Sequence, residues 1–322
     1  MEEITIGTFN LNNLFSRYNF KGAIEEMQPE KSGLTVEYRF TDPESYRIRT
    51  YKGKLVKGKP QKDTDKIAQR IKERAIDILA VQEAEDIDTL RFFNKEYLDG
   101  KFNYQVLLEG NDPRLIDVGL LSTYPIGGIT SWQRAIHPAD PDEPVFGRDL
   151  LEVEILTKDR TATLFTIFNN HLKSNYIPYN EDKEEGEAKI KQRRQRQAET
   201  IAKIVKAKMP EGSNFIILGD MNDSHDSALL EPFVKGLSLT NALANAQETS
   251  PPKEDDPMPS SPMWTHRFKP SGEPAKYELY DQIWLSPALK DTLKEAWIGR
   301  RKNLTGDGSD HDPAWVTLQI SG

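Results

Sequence analysis

The feature that most constrains this chain is a series of short apolar runs rich in β-branched residues, six of them carrying a polar cluster at one end. Such runs read as strands, some buried on both faces and others alternating. Thr8-Phe-Asn10-Leu-Asn12-Asn13 closes the run Ile4–Phe9, and Gln82-Glu83 follows Ile76–Val81. Phe168-Asn-Asn-His171-Leu-Lys173-Ser174 ends Ala162–Phe168, while Leu218-Gly-Asp220-Met-Asn222 ends Asn214–Leu218. Tyr280-Asp281 opens Gln282–Leu285, and Gly308-Ser-Asp310-His311-Asp312 precedes Ala314–Ile320. Val118–Leu121 and Leu151–Leu156 are two further strand-like runs.

Two stretches have helical period. Asp63 or Thr64 caps a helix through Ala75 with Ile67, Ile71 and Ala75 on one stripe, and a longer helix from about Glu187 to Lys208 turns Ile190, Ala198, Ile201 and Val205 inward. Strands outnumber helices, and several are separated by hairpin-length gaps. The pattern therefore predicts an α/β protein in which sheets pack on each other with helices outside. No fixed-period repeat is present, which excludes solenoids and propellers. Residues 17–62 lack period, and residues 246–262 (AQETSPPKEDDPMPSSP) are rich in Pro, Ser and acid. Both read as loop insertions in one domain spanning 1–322, since neither separates two cores.

Composition narrows the function classes. The 322 residues include no cysteine, so disulfides, thiol nucleophiles and thiolate metal sites are excluded. With 43 basic and 51 acidic residues the net charge is −8. That sign disfavours extensive grip on duplex DNA, whose affinity comes from neutralising phosphates. No apolar run approaches the roughly 18 residues that span a bilayer. The start MEEITIGTFN has no basic segment followed by an apolar one. The expectation is a soluble, cytoplasmic protein with no membrane or protein partner, although a chain that had lost a leader would look the same. Arg49–Arg74 carries ten Lys or Arg against three acids, and Lys189–Arg196 (KIKQRRQR) is a second basic cluster. Both read first as solvated surface, and the former also as an electrostatic guide for a phosphate-rich substrate. Gly53-x4-Gly58-Lys59 imitates a phosphate-binding loop, but Pro60 stands where Ser or Thr should hold magnesium, and the match is discarded.

Taken singly, each polar cluster has an ordinary explanation. Asn and Asp are favoured after strands, His171 alone reads as a hydrogen-bonded structural histidine, and Asp310 as a turn residue. Together they mean more, because strand-end loops converge on one rim of a packed sheet. Crowded carboxylates there repel one another unless a cation sits among them. Oxygen donors without thiolates suit Mg2+ or Mn2+, and a carboxylate beside a histidine adds a proton-transfer element.

In this order and context, the six segments resemble the endonuclease/exonuclease/phosphatase superfamily, which includes deoxyribonuclease I, exonuclease III-type abasic endonucleases and inositol polyphosphate phosphatases. Gly219-Asp220-Met-Asn222 and Ser309-Asp310-His311 carry most of the resemblance, with Gln82-Glu83 in support, and it spans essentially the whole chain. Asn111-Asp-Pro-Arg114, Asp117-Val-Gly-Leu-Leu-Ser and Arg148-Asp149 look like a bacterial branch. The resemblance implies a four-layer α/β sandwich, two mixed β-sheets packed face to face with helices on the outside. It implies Glu83 as the principal metal ligand, with Asn12 and Asp310 near the same Mg2+ or Mn2+. Asp220 would orient or deprotonate the attacking water, supported by Asn10 and Asn222, the latter also contacting the phosphoryl oxygens. His311 would act with Asp281, and His171 would donate to a non-bridging oxygen with help from Lys173 or Ser174. Arg114 and Arg148 fall in the substrate-facing region. Gln282 departs from the His or Tyr of many relatives, with an expected effect on substrate fit. Whether His311 or Asp220 is the base, and whether one metal or two act, stays open.

The leading expectation is a divalent-metal-dependent phosphodiesterase, nuclease-like, on single-stranded or short nucleic acid. Trp132, Trp264, Phe268 and Tyr277 are candidates to stack a base. The alternatives are a phosphomonoesterase or small phosphodiester hydrolase acting on a sugar, nucleotide or lipid head-group, and a non-catalytic binding module. Retention of Glu83, Asp220, Asn222, Asp310 and His311 argues against the module.

Overall fold

Period-two alternation decides the architecture of the protein, seen here in a computed structural model that describes residues 2–15, 58–177, 181–250, 258–303 and 307–320. The first sheet has seven strands in the order β12 (Gln247–Glu248), β16 (Leu293–Ile298), β17 (Ala314–Ile320), β1 (Glu2–Leu14), β2 (Ile78–Ala84), β4 (Asp117–Ser122) and β3 (Tyr104–Leu107). The second has six: β11 (Thr240–Asn241), β15 (Asp281–Leu285), β10 (Phe215–Asp220), β9 (Thr163–His171), β8 (Leu150–Leu156) and β5 (Ile126–Ser131). Hairpins β6 (Ile136–His137) with β7 (Asp140–Pro144), and β13 (His266–Phe268) with β14 (Lys276–Glu278), stand apart. Both large sheets are mixed: β1 pairs in parallel with β2 and β9 with β10, while most other neighbours are antiparallel.

The inner faces meet in one apolar layer. Ile4, Ile6, Ile78, Ala80, Val118 and Leu120 pack there against Val153, Phe165, Ile167, Ile216, Leu218 and Ile283. The outer face of the first sheet (Phe9, Leu11, Leu79, Val81) is covered by α1 (Gln61–Lys72) and α2 (Ile87–Tyr97) through Ile67, Ile71, Leu90 and Phe93. The outer face of the second (Phe168, Ile217, Trp284) is covered by α3 (Lys183–Lys208) and α4 (Glu231–Val234) through Ala198, Ile201, Val205 and Phe233. Four layers result, as expected. Among the described residues no helix is long and apolar enough to cross a membrane.

The same alternation places the polar residues. Successive side chains point to opposite faces of a sheet, so Ile4, Ile6, Thr8 and Asn10 share the inner face of β1, and Ile78, Ala80 and Gln82 that of β2. On the second sheet the inward rows are Phe165-Ile167-Asn169-His171, Ile216-Leu218-Asp220 and, running the other way, Leu285-Ile283-Asp281. Each row starts apolar and ends polar at the same rim. Parallel pairing aligns the ends of β1 with β2 and of β9 with β10, while antiparallel β15 starts where β10 ends, Asp281 opposite Asp220. Below the rim, Gln82 donates to Asn169 Oδ1 (2.8 Å) and to Thr8 Oγ1 (3.2 Å), a buried polar layer joining the sheets.

Several local expectations need correcting. Glu83, His171, Asp220 and Asp281 lie within strands, not in the loops beside them. Pro60 holds the N-cap of α1, three to four residues before Asp63 and Thr64. Its fixed φ suits a helix start, and Thr64 turns inward. The long helix begins at Lys183 because the Asp182 side chain accepts from Glu185 N. Helix α2, capped by Asp86 through Thr89 N at 2.6 Å, has no counterpart in the sequence reading. Most of the 17–62 insertion lies outside the described residues, but its last residues begin α1. Within 246–262, Gln247–Glu248 pairs with β16 as an edge strand, and residues 251–257 lie outside the described residues. Gly58 and Lys59 of the discarded loop motif are described, whereas 53–57 are not.

Candidate active site

Asp220 is the hub. It is 1% exposed; its Oδ2 accepts from Asn10 Nδ2 at 2.9 Å, and its Oδ1 from the backbone N–H of Asn222 at 2.9 Å. His171 Nε2 lies 3.4 Å from Oδ2, and His311 Nε2 3.9 Å from it. Across β15, His311 Nδ1 meets Asp281 Oδ2 at 2.7 Å, which fixes the ring and its tautomer. The backbone N–H of Asp281 donates to Thr265 Oγ1. Asp281 Oδ1 and His171 Nδ1 are buried with no hydrogen-bond partner among the described residues.

The surroundings drive these groups apart in proton affinity. Burial raises the Asp220 pKa and nearby Asp281 adds to it, against the opposing pull of His311 and Asn10. For His311 burial acts downward, but the charges of Asp281 and Asp220 overcome it and push the ring up to about 10. For His171, although Asp220 Oδ2 lies 3.4 Å away, burial and the charge of Arg148 prevail and hold it well below the ordinary imidazole value, so it is neutral. One histidine is thus cationic and the other neutral, with a carboxylate of raised basicity between them. Groups forced apart in this way can divide acid and base roles.

The expected metal donors gather at the same rim. The Asn12 side chain donates to Asp310 Oδ1 at 2.8 Å, and the next backbone N–H, that of Asn13, donates to Glu83 Oε2 at 3.0 Å. Asn12, Asn13 and Glu83 have φ of +46°, +59° and +61°, at irregularities in the β1–β2 pairing. Asn222 is also left-handed, at +52°. L residues with a side chain rarely adopt this region, and here it turns the rim side chains toward one another. The Lys59 ammonium donates to Asn12 O, and its charge is felt by Glu83 and Asp310. The donor set therefore already draws a cation, and carboxylate and amide oxygens fit a hard divalent ion. Among the described residues two groups of three could chelate, His266-Asp310-His311 and Asp220-Asp281-His311.

His266 was not foreseen. Its Nε2 lies 3.8 Å from Asp310 Oδ2, its ring centroid is 4.8 Å from that of His311, and it stacks on Tyr280 at 5.0 Å. It sits in a three-residue strand with no apolar run to announce it. Asp312 and its arginines were also missed. The buried carboxylate meets Arg70 Nη2 at 2.6 Å, Arg301 Nε at 2.9 Å and Arg300 Nη1 at 3.2 Å. Arg301 also donates to the carbonyls of Ser309 and Asp310, and Arg70 to that of His311. This network holds the loop that presents Asp310 and His311.

Beside the hub, the substrate-side candidates form a second group. Arg114 grips Asp112 with two hydrogen bonds, Nε to Oδ1 (3.0 Å) and Nη2 to Oδ2 (2.9 Å). Arg148 is buried, its Nε 3.2 Å from Asp112 Oδ2 and its Nη1 donating to Leu172 O beside His171. Lys173 Nζ donates to the carbonyls of Ser174 and Tyr176, so Ser174 takes part through its backbone. Arg194, expected on solvated surface, is buried, bound to Asp223, Asn175 and Lys173 O. Gln282 does not face the cleft: its amide donates to Asp223 O and Leu279 O and accepts from Trp284. Of the stacking candidates, Trp264 is buried under Arg300 and against Tyr277, and Trp132 is tied to Glu152, while Phe268 is 56% exposed.

Comparisons with known proteins bear on the family and the fold. The sequence profile of the Endonuclease/Exonuclease/phosphatase family matches residues 7–311. No curated protein matches the sequence significantly. Among solved structures, one described as an endonuclease/exonuclease/phosphatase from Bacteroides vulgatus is 14% identical, with a TM-score of 0.60 over 100% of both chains. An AP endonuclease from Archaeoglobus fulgidus is 14% identical, with a TM-score of 0.58 over 98% of this chain and 100% of that one. A mannosyl-6-phosphatase from Bacteroides thetaiotaomicron is 14% identical, with a TM-score of 0.56 over 99% and 100%. At these identities the likeness concerns the fold.

Proposed function

The chain belongs to the endonuclease/exonuclease/phosphatase family, whose members are metal-dependent phosphoester hydrolases, and on that premise we propose that it is a nuclease-like phosphodiesterase acting on short or single-stranded nucleic acid. The observation that carries this reading is Asp220, held by Asn10 and Asn222 and flanked by His171 at 3.4 Å and the Asp281-bound His311 at 3.9 Å.

Glu83, Asp310 and the Asn12 side chain would hold Mg2+, or Mn2+ in its place. Such an ion, when bound, supplies a Lewis acid for developing phosphoryl charge. The remaining roles belong to the chain itself. Asp220 accepts the proton of the attacking water, since burial has raised its basicity toward the working range of a general base. Asn10 and Asn222 fix that carboxylate so that it need not reorient. His311, kept protonated by Asp281, presents Nε2–H to a phosphoryl oxygen, and neutral His171 donates from the other side. Donors fixed in place before charge develops stabilise it without reorganisation, and removing one typically costs about 10²- to 10³-fold in rate.

A second reading, hydrolysis of a small phosphoester, draws support from the bounded hollow of about 330 Å³ beside the hub and from the likeness in fold to a sugar phosphatase. One panel separates the two: plasmid, single-stranded DNA, RNA, bis-nitrophenyl phosphate, inositol phosphates and mannose 6-phosphate, each with Mg2+, Mn2+ or EDTA. Cation-dependent turnover of at least one diester is expected, lost in Asp220→Ala and His311→Ala. Activity surviving both substitutions overturns the site assignment, and monoesters cleaved far faster than diesters replace the first reading with the second.

A further inference from the structure

The hollow beside the hub carries charge that the proposed hydrolysis does not use. Its walls bring Arg114, Arg148, Lys173 and Arg193 together against two carboxylates, Asp112 and Glu143. Asp112 is already shared between Arg114 and Arg148. Glu143 reaches Arg193 only at 3.8 Å and is largely solvent-exposed. Four cations less two anions leaves an excess of two positive charges around about 330 Å³. Arg148 Nε is buried there with Asp112 Oδ2 at 3.2 Å, and that contact lacks hydrogen-bond geometry, so the N–H has no well-aligned acceptor among the described residues. Burial, with Arg148, Arg114, Arg193 and Arg194 crowding it, brings Lys173 down to about 8, the behaviour of a cation cluster short of an anion.

Among the described residues, the excess does not continue into the adjoining hollow. A neighbouring one of about 220 Å³ shares Glu143 and Arg193, but its other basic groups are matched. Arg196 pairs with Asp140 at 2.6 Å, Lys189 with Glu181 and Glu185 at 2.9 and 2.8 Å, and His137 lies 2.8 Å from Glu199. A track for a long polyanion would continue the unmatched charge, and this surface does not. The hollow is also tied to the hub, because Arg148 donates to the carbonyl of Leu172, next to His171.

We infer that this hollow binds a second phosphate of the substrate, a terminal phosphate monoester that is not itself cleaved, adjacent to the scissile phosphoester at the hub. A monoester carries about −1.5 to −2 charge at neutral pH, which matches the excess of two, whereas a diester carries one negative charge. Arginine forks suit its oxygens in paired, charge-assisted contacts. This inference rests on the hydrolase reading and sharpens it by naming a substrate class.

Two sources present the same chemistry, the phosphorylated end of a short strand and a small bisphosphorylated metabolite, and the test separates them. Trinucleotides with a 5′-phosphate, a 3′-phosphate or neither are compared, as are a hexose bisphosphate and the corresponding monophosphate, each with wild type and Arg193→Glu. For at least one pair, the added phosphate is expected to lower KM tenfold or more in the wild type. Arg193→Glu is expected to reduce that preference to about twofold, and inorganic phosphate to inhibit the wild type competitively and more strongly than the variant. Whichever pair shows the preference identifies the source. Hydrolysis without any such preference, or a preference that Arg193→Glu retains, overturns the second-phosphate site and leaves the hydrolase reading standing. A wild-type protein that cleaves no phosphoester overturns both.

Discussion

Asp220 and Asp312 are both buried, both within reach of the loop that carries His311, and their surroundings differ in kind. Around Asp312 three guanidiniums approach to between 2.6 and 3.2 Å, and although burial opposes it their charge holds the carboxyl below its ordinary pKa. Around Asp220 stand an amide, a neutral histidine, a cationic histidine and a second carboxylate, and burial raises its pKa. A carboxylate saturated with full positive charge cannot exchange a proton near neutrality, so it fastens chain segments. One given only partial compensation keeps its basicity and can do chemistry. The scaffold and the candidate reaction centre use the same residue type on either side of one loop and divide the labour by counter-charge.

That contrast can be broken from either side. The largest effect is expected for Asp220→Asn, a loss of about 10³-fold in kcat with little change in melting temperature, because the amide removes the proposed base without removing the packing. Steady-state kinetics beside thermal denaturation checks it. Next comes Asp312→Asn, expected to cost about 3–5 kcal/mol in denaturant unfolding, since three buried guanidiniums lose their shared anion. Activity per folded molecule should fall far less than in Asp220→Asn.

Asp281→Asn should lower kcat by about 10²-fold. It should also bring the His311 pKa down from about 10, because burial, which acts downward, then faces less opposition. An imidazole NMR titration of metal-free protein reads that shift directly. The smallest effect concerns Asp117, which has neither guanidinium nor imidazole. Burial raises its pKa to about 7, one oxygen accepts from Gly110 N, and the other has no hydrogen-bond partner among the described residues. A raised carboxylate pKa means the folded state holds the proton between about 4 and 7, so this contribution to stability is present at low pH and is lost as pH rises through 7. Asp117→Asn should therefore stabilise the protein by about 1 kcal/mol at pH 8 and flatten that part of the pH profile in urea unfolding.

How much of this was readable beforehand follows from what local pattern can carry. Rows such as Ile4-Ile6-Thr8-Asn10 advertise both the strand and the polar end that it delivers, so the two sheets and the residues around Asp220 were legible from spacing and resemblance. Contacts set by chain closure were not. Arg70 and Asp312 are 242 residues apart, and nothing near either marks the pair. Arg194 reads as one more charge on a basic helix until the fold lays Asp223 and Asn175 against it. His266 takes its neighbours from a three-residue hairpin strand that has no hydrophobic period to reveal it. Helix α2 follows directly on β2, and the sequence reading passed over its stripe of Leu90 and Phe93.

The left-handed backbone at Glu83 carries a consequence for how the protein would evolve in a tube. A glutamate there is strained by about 1 kcal/mol or more relative to glycine, and its carboxyl is also desolvated. A library screened for heat resistance alone would accordingly enrich Glu83→Gly, collecting sturdy clones that had discarded the proposed metal ligand. Thermal tolerance and turnover would then have to be selected together, or the first would be gained at the expense of the second.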